Sequence, residues 1–255
     1  MEYIKKWFPF NKDIQRNDDK VLVFCFHHAG GMASAYKKWI NYNDSSIEFV
    51  PVELPGKGCR MNEKCISNIN DLAFCAADAI RKFAGERKII LYGHSMGAGI
   101  AFQVAFALEN KFSVSPLALI VSGRNAPGVC VKGVYTTDMD DEELINELKR
   151  MGGTSEEVLE NPEMMEYLLP IIKNDYKLNE SFSAEGERLK APIYVYNGRA
   201  DDFVNQDKAD KWAEHTCSYI VTRNFEGNHF FLFDLGKEYI FLLKQRIITL
   251  RKNVY

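Results

Sequence analysis

A serine with a glycine two residues away on either side, Gly93-His94-Ser95-Met96-Gly97, is where the residue types of this chain could do chemistry most directly. A serine hydroxyl is a weak nucleophile until a base takes its proton and a third group orients the base. The context suits such a role. The apolar run Lys88-Ile89-Ile90-Leu91 precedes the motif, and an alanine-rich amphipathic run from Ala98 to Glu109 follows it. Strand, sharp turn and helix with a serine at the apex form the nucleophile elbow Gly-x-Ser-x-Gly. The turn strains the serine backbone and brings the flanking positions together, so residues 93 and 97 must lack side chains. The helix behind Ser95 points its first amides at the site, where they favour developing negative charge.

The base must be a histidine, and the sequence has five. In elbow enzymes the chain order is serine, then acid, then histidine. His27, His28 and His94 precede or adjoin Ser95, which leaves His215 and His229. His215 ends a helical stretch, where a surface cap at the helix terminus is its expected place. His229 lies in Glu226-Gly227-Asn228-His229-Phe230-Phe231, just past the last strand-like run, and is the favoured base. The acid should follow an earlier strand. The run Pro192 to Asn197 leads into Gly198-Arg199-Ala200-Asp201-Asp202-Phe203-Val204, so the acid is Asp201 or Asp202, and the spacing from Gly198 favours Asp201. Two backbone donors are needed for an oxyanion. The residue after the nucleophile supplies one, the N–H of Met96; the glycine-rich loop Phe26-His27-His28-Ala29-Gly30-Gly31 supplies the other, assigned to Ala29 N–H. His27 and His28 should brace this loop or cover the pocket. No acidic or histidine partner is spaced to complete a metal site with them, and neither a metal nor a cofactor is expected.

The elements that must position these groups alternate along the chain. Val21–Phe26, Glu48–Glu53, Ile89–Tyr92, Leu117–Ser122, Ile193–Asn197 and Tyr219–Arg223 read as strands. Helical patterns lie near 33–42, 68–84, 98–110, 206–215 and 236–250. Continuous apolar strands separated by helices predict an α/β fold with a mostly parallel sheet covered on both faces. The sheet should start at residue 21, with no earlier strand. From about Tyr135 to Ser183 the alternation breaks into charged helical pieces, Asp140–Arg150, Glu156–Leu159 and Pro162 to about Leu178. A helical insertion of this kind between two core strands is where a lid would sit.

Bulk properties narrow the classes. A chain of 255 residues fits one domain, and a net charge of −3 with acids and bases interspersed suggests neither a nucleic-acid groove nor a polybasic membrane patch. The six cysteines form no CxxC pair, and Cys25 and Cys75 read as small buried hydrophobes. The first residues lack the apolar core of a signal peptide, and no stretch is long enough to span a bilayer. The expected setting is a monomer in a reducing cytoplasm.

Taken together, these motifs resemble the type II (external, editing) thioesterases of non-ribosomal peptide and polyketide synthesis, which are α/β-hydrolases related to medium-chain acyl-carrier-protein thioesterases. The likeness covers nearly the whole chain. Phe24 to Gly31 resembles the family's first-strand motif, and Glu53-Leu54-Pro55-Gly56-Lys57-Gly58-Cys59-Arg60 its Leu-Pro-Gly-Arg segment. The elbow matches, Leu148 to Gly153 through Leu169-Pro170 resembles the family lid, and Asn197 to Asp201 with Gly227 to Leu232 resemble its acid and base motifs. The chain departs from the pattern at His27 (usually Pro), Met32 (commonly small and polar) and Asn228 (commonly Gly). The resemblance implies an α/β-hydrolase fold with a helical lid at about 135–183, and hydrolysis of acyl groups from the phosphopantetheine arm of carrier proteins. The catalytic residues it implies are Ser95, Asp201 and His229. A medium-chain fatty acyl-carrier-protein thioesterase, a carboxylesterase acting on oxygen esters, an acyltransferase and a non-catalytic carrier-binding module remain as alternatives. Lys57, Arg60 and Arg199, placed in loops near the active-site edge, are candidates for steering an acidic carrier protein.

Overall fold

Six runs become six strands, and the four in the middle of the sheet bury both of their faces. The computed structural model describes residues 2–11, 19–129 and 139–252. Strands β1 (Val21–Phe26), β2 (Ile47–Pro51), β3 (Ile89–His94), β4 (Ala118–Ser122), β5 (Ile193–Gly198) and β6 (Ile220–Phe225) form one sheet in the order β2-β1-β3-β4-β5-β6. All five pairings are parallel. Every residue of β1, β3, β4 and β5 is buried, whereas β6, at the edge, exposes its middle. Alternation divides the core. Leu22, Phe24, Ile89, Leu91, Leu119, Val121 and Val195 face a layer containing helices α2 (Ile69–Ala84) and α3 (Met96–Lys111). Val23, Cys25, Ile90, Tyr92, Ile120 and Tyr194 face the other layer. That layer is built from a 3₁₀ segment (Ala33–Tyr42), the short helix α7 (Phe231–Asp234) and the terminal helix α8 (Lys237–Lys252). This is the α/β-hydrolase architecture.

The elements differ from expectation in a few places. Helix α1 (Glu2–Trp7) was not anticipated, because six residues are too few to show a helical period; it seats Trp7, and Phe8 just after it, in the core. The helical runs at 33–42 and 206–215 are 3₁₀ rather than α. Cys25 is buried but Cys75 is only half-buried, and Cys130 lies outside the described residues. Among the described residues no strand precedes Val21.

Between β4 and β5 the chain leaves the sheet. Helix α4 (Asp141–Met151) opens on a capping box between Asp140 and Glu143 and stops at Gly152, whose φ of 72° suits a glycine cap. Helix α5 (Glu156–Leu159) follows. Helix α6 (Pro162–Glu180) starts at Asn161, whose side chain accepts from Met164 N–H, with Pro162 in its first position. The start expected near Tyr135 falls outside the described residues. The three helices share a small core of Leu144, Leu148, Leu159, Met165, Ile172 and Tyr176, against which Ala29 packs. The sheet order reverses between β1 and β3, so the chain leaves those two strands in opposite directions and opens a crevice at their carboxyl ends. The loop carrying Ala29 and the turn carrying Ser95 flank that crevice.

Candidate active site

Ser95 sits in a conformation that a serine adopts only under constraint, with φ 55° and ψ −119°. Such strain costs about 1–3 kcal/mol and holds only where the surroundings enforce it. Two close approaches enforce it here. A Cβ on Gly93 would run into the Gly97 carbonyl, and one on Gly97 into the carbonyl of Phe26 at the end of β1. Ser95 N–H donates to the Ser122 carbonyl at 2.8 Å, tying the turn to β4. Helix α3 begins at Met96, so the Met96 N–H has no acceptor within the helix.

Asp201 and His229 come from the loops after β5 and β6. A Cβ on Gly198 would strike the Asn228 carbonyl, so the two loops lie against each other. His229 Nδ1 stands 2.8 Å from Asp201 Oδ2, and both side chains are almost wholly buried. The other carboxylate oxygen of Asp201 accepts Phe203 N–H at 2.9 Å. A buried carboxylate on Nδ1 fixes the tautomer that leaves Nε2 as the acceptor. His229 Nε2 is buried without a hydrogen-bond partner, so the Ser95 hydroxyl is not bonded to it in this state. Resting-state geometry of this kind often tightens only with substrate bound. Asp202 is exposed. His215 is buried rather than a surface cap: its ring packs edge-on against Phe102 at 5.8 Å, and its Nδ1 lies 3.3 Å from the Glu187 carbonyl. It does not line the cavity that holds Ser95.

Ser95, Met96, Ala29 and His229 line one cavity of about 400 Å³, together with Arg124, Phe203 and Phe182. Met151, Tyr176, Asn179 and Glu180 of the helical insertion line it too, and the Tyr176 hydroxyl donates to Met151 Sδ at 3.3 Å, linking α6 to α4. Ala29 N–H has no acceptor among the described residues. Its loop is held on both sides: His27 Nδ1 lies 2.8 Å from the His28 carbonyl, and Gly31 N–H donates to that same carbonyl at 3.0 Å. The His28 ring packs edge-on against Phe230, and the His94 ring lies 4.8 Å from that of His229. Burial above all, with His229 and Lys57 close by, pushes His28 down to about 3. Burial likewise drives His27 and His94 well below the ordinary histidine value, so all three stay neutral.

Two of the cations named for carrier steering are interior. Lys57 is 2% exposed and pairs with Asp175 of α6 at 2.6 Å. Arg60 is buried with its guanidinium 4.1 Å over the Trp7 ring, donating to Glu63 and to the Glu53 carbonyl. Sequence shows that these side chains carry charge; it does not show the partners that draw them inward. Arg199 alone of the three is exposed, and it pairs with Glu226 at 2.8 Å. Reading the sequence also missed Arg124 and Asp175. Asp175 had a signal: it lies between Ile172 and Tyr176 on the buried face of a helix, where a carboxylate requires a cation.

Among the described residues no group of three His, Cys, Asp or Glu is placed to hold a metal, and no helix is long and apolar enough to cross a membrane. The thioesterase-domain family model matches residues 22–241. The gramicidin S biosynthesis protein GrsT of Aneurinibacillus migulanus is 34% identical over 254 residues, 98% of each chain. Thioesterase PikA5 of Streptomyces venezuelae is 31% identical, over 86% of this chain and 78% of its own length. Among solved structures, ClbQ from the colibactin NRPS/PKS pathway has a TM-score of 0.83 at 29% identity, covering 91% of this chain and 98% of its own. The type II thioesterase BorB from the borrelidin biosynthetic cluster has a TM-score of 0.80 at 30% identity, covering 92% and 98%.

Proposed function

The chain belongs to the thioesterase family, and from that premise we propose that it acts as a type II thioesterase. It would clear acyl groups from the phosphopantetheine arms of carrier proteins in non-ribosomal peptide or polyketide synthesis, working as a single-domain cytoplasmic monomer. The observation that carries the reading is one cavity, roofed by α4 and α6, into which open an elbow serine and a histidine already held by a buried carboxylate.

Ser95 Oγ attacks the thioester carbonyl while His229 Nε2 takes its proton. The negative charge that develops on the carbonyl oxygen is met by the N–H groups of Met96 and Ala29. A donor of this kind contributes about 3 kcal/mol to the transition state. Asp201 stays ionised, keeps the Nδ1 proton in place and stabilises the imidazolium. The tetrahedral intermediate collapses with cleavage of the C–S bond, and His229 returns its proton to the departing sulfur. A thiol with an ordinary pKa of about 8.5 needs less acid assistance than an alcohol. Water then enters, His229 takes one of its protons, and attack on the acyl-serine ester releases the carboxylic acid and restores Ser95. The phosphopantetheine belongs to the substrate, and the chain's own groups complete the cycle without a cofactor. The helical insertion serves as the lid that admits the arm. With Lys57 and Arg60 interior, a steering role for an acidic carrier falls to Arg199 alone of that set.

The test is hydrolysis of acyl-pantetheines and acylated carrier protein by purified protein, with Ser95→Ala as control. Cleavage by wild type and its loss in the variant are expected. No cleavage by wild type, or undiminished cleavage by Ser95→Ala, ends the reading. A higher kcat/KM on p-nitrophenyl esters than on acyl-pantetheines would turn it into a carboxylesterase.

A further inference from the structure

Helix α6 holds both peptide planes that flank the proposed oxyanion hole. Asp175 reaches the first. Its Oδ2 accepts Gly30 N–H at 2.7 Å and Lys57 Nζ at 2.6 Å, and Lys57 Nζ donates in turn to the Gly31 carbonyl at 3.1 Å. Gly30 N–H belongs to the peptide that follows Ala29. The peptide that carries the Ala29 N–H itself is held at its other end, where Gly31 N–H donates to the His28 carbonyl at 3.0 Å, so anchoring the Gly30 N–H leaves the Ala29 donor between two fixed points. Asn179, one turn further along the same helix, reaches the second plane through Arg124. Arg124 Nη1 lies 2.6 Å from Asn179 Oδ1 and 3.2 Å from the Ser95 carbonyl. That carbonyl and the Met96 N–H are the two ends of one peptide group, so the guanidinium both orients the donor and polarises it. The Arg124 guanidinium packs 4.7 Å over the Phe182 ring, and it keeps its charge at neutral pH although burial lowers it to about 10.

We propose that α6 is the positioning element of the oxyanion hole: Asp175 with Lys57 sets the Ala29 donor, Asn179 with Arg124 sets the Met96 donor, and the roof of the cavity thereby controls the transition state rather than only access. A buried ion pair is poorly suited to simple stabilisation, since an apolar pair of similar volume does that as well or better. Here one carboxylate oxygen is shared between a lysine and a backbone amide of the loop that carries Ala29, which suits orientation. The inference rests on Ser95 being the nucleophile and on these two amides being its donors.

The experiment compares wild type, Asp175→Asn, Asn179→Ala and Lys57→Arg. Active sites are counted with a fluorophosphonate, and each variant is assayed on an acyl-pantetheine and titrated with an alkyl trifluoromethyl ketone, which becomes a tetrahedral oxyanion on the serine. Per titrated site, Asp175→Asn and Asn179→Ala should lose about 10- to 100-fold in kcat with KM within about twofold, as for weakened oxyanion donors. Ketone affinity should fall by the same factor, and Lys57→Arg, which keeps a positive charge beside Asp175, should lose less than Asp175→Asn. A loss that disappears once rates are divided by titrated sites, or a kcat loss with ketone affinity unmoved, overturns this inference alone. A wild type that cleaves no thioester overturns the functional reading and this inference with it.

Discussion

Replacing Asp201 by asparagine changes one atom and should remove most of the activity. The carboxylate lies 2.8 Å from His229 Nδ1 through Oδ2 and holds Phe203 N–H at 2.9 Å through Oδ1. An asparagine carbonyl can keep the Phe203 bond, which leaves its NH₂ facing Nδ1. An NH₂ group donates, so Nδ1 must accept, and the ring proton moves to Nε2. The imidazole then has no lone pair for the Ser95 proton. The same exchange in a serine protease lowers kcat by about 10⁴-fold, or about 5.4 kcal/mol at about 1.36 kcal/mol per decade. Because shape and burial are kept, the melting temperature should move by only a few degrees. Asp202, one residue on and exposed, makes no such contact, and Asp202→Asn should stay within about twofold of wild type, the usual range for a surface change. The assay is release of free pantetheine thiol from an acyl-pantetheine at pH 7, with folding checked by circular dichroism. An Asp201→Asn enzyme within tenfold of wild type, or an Asp202→Asn enzyme as impaired as Asp201→Asn, would refute the assignment of the acid.

Other expectations follow from the same neighbourhood. His27, His28 and His94 are held neutral in the fold, so the unfolded chain binds more protons between about pH 3 and about pH 6.5, and stability must rise with pH across that window and fall on acidification. From pH 7 to pH 5 each such histidine costs about 2 kcal/mol; urea midpoints for His28→Gln should show a loss smaller by that amount, and an unchanged loss would refute it. Gly123 has φ 59°, and a Cβ there would come within 2.5 Å of the His94 ring and 3.2 Å of the His229 ring. Gly123→Ala should therefore displace the base and lower kcat by about 100-fold, read in the same thiol assay; near-normal turnover would mean the rings can yield freely. Lys57→Met leaves the Asp175 carboxylate buried and unpaired and should destabilise by about 3–5 kcal/mol, most of which the double variant Lys57→Met/Asp175→Leu should recover in chemical denaturation; no recovery would argue against charge burial as the cause.

The sheet was readable from sequence because a parallel strand buried on both faces leaves an unbroken apolar run, and Val21–Phe26 is such a run to the residue. The ends of those strands gave the loops that carry Ser95, Asp201 and His229, since the chain order of an elbow enzyme is fixed by its sheet. What could not be read was whatever depends on a distant partner. Lys57 meets Asp175 across 118 positions, and in a sequence a lysine in a glycine-rich loop has the signature of a solvated charge. His215 looked like a terminal cap because the aromatic ring of Phe102 that covers it belongs to another helix. The 3₁₀ segments share the hydrophobic spacing of α-helices, so pattern alone does not separate them. Helix α1 shows no period at all and is held by the burial of Trp7.

The central claim is that an acyl group passes through Ser95. Mixing the protein with an acyl-pantetheine, quenching in acid within the first turnover and mapping the digest by mass spectrometry tests it most directly. The account predicts an acyl mass on the peptide containing Ser95, absent from Ser95→Ala and strongly reduced in His229→Ala, which lacks the base that activates the serine. Thiol release at full rate with no acyl mass on that peptide, or with the mass on another residue, would contradict it.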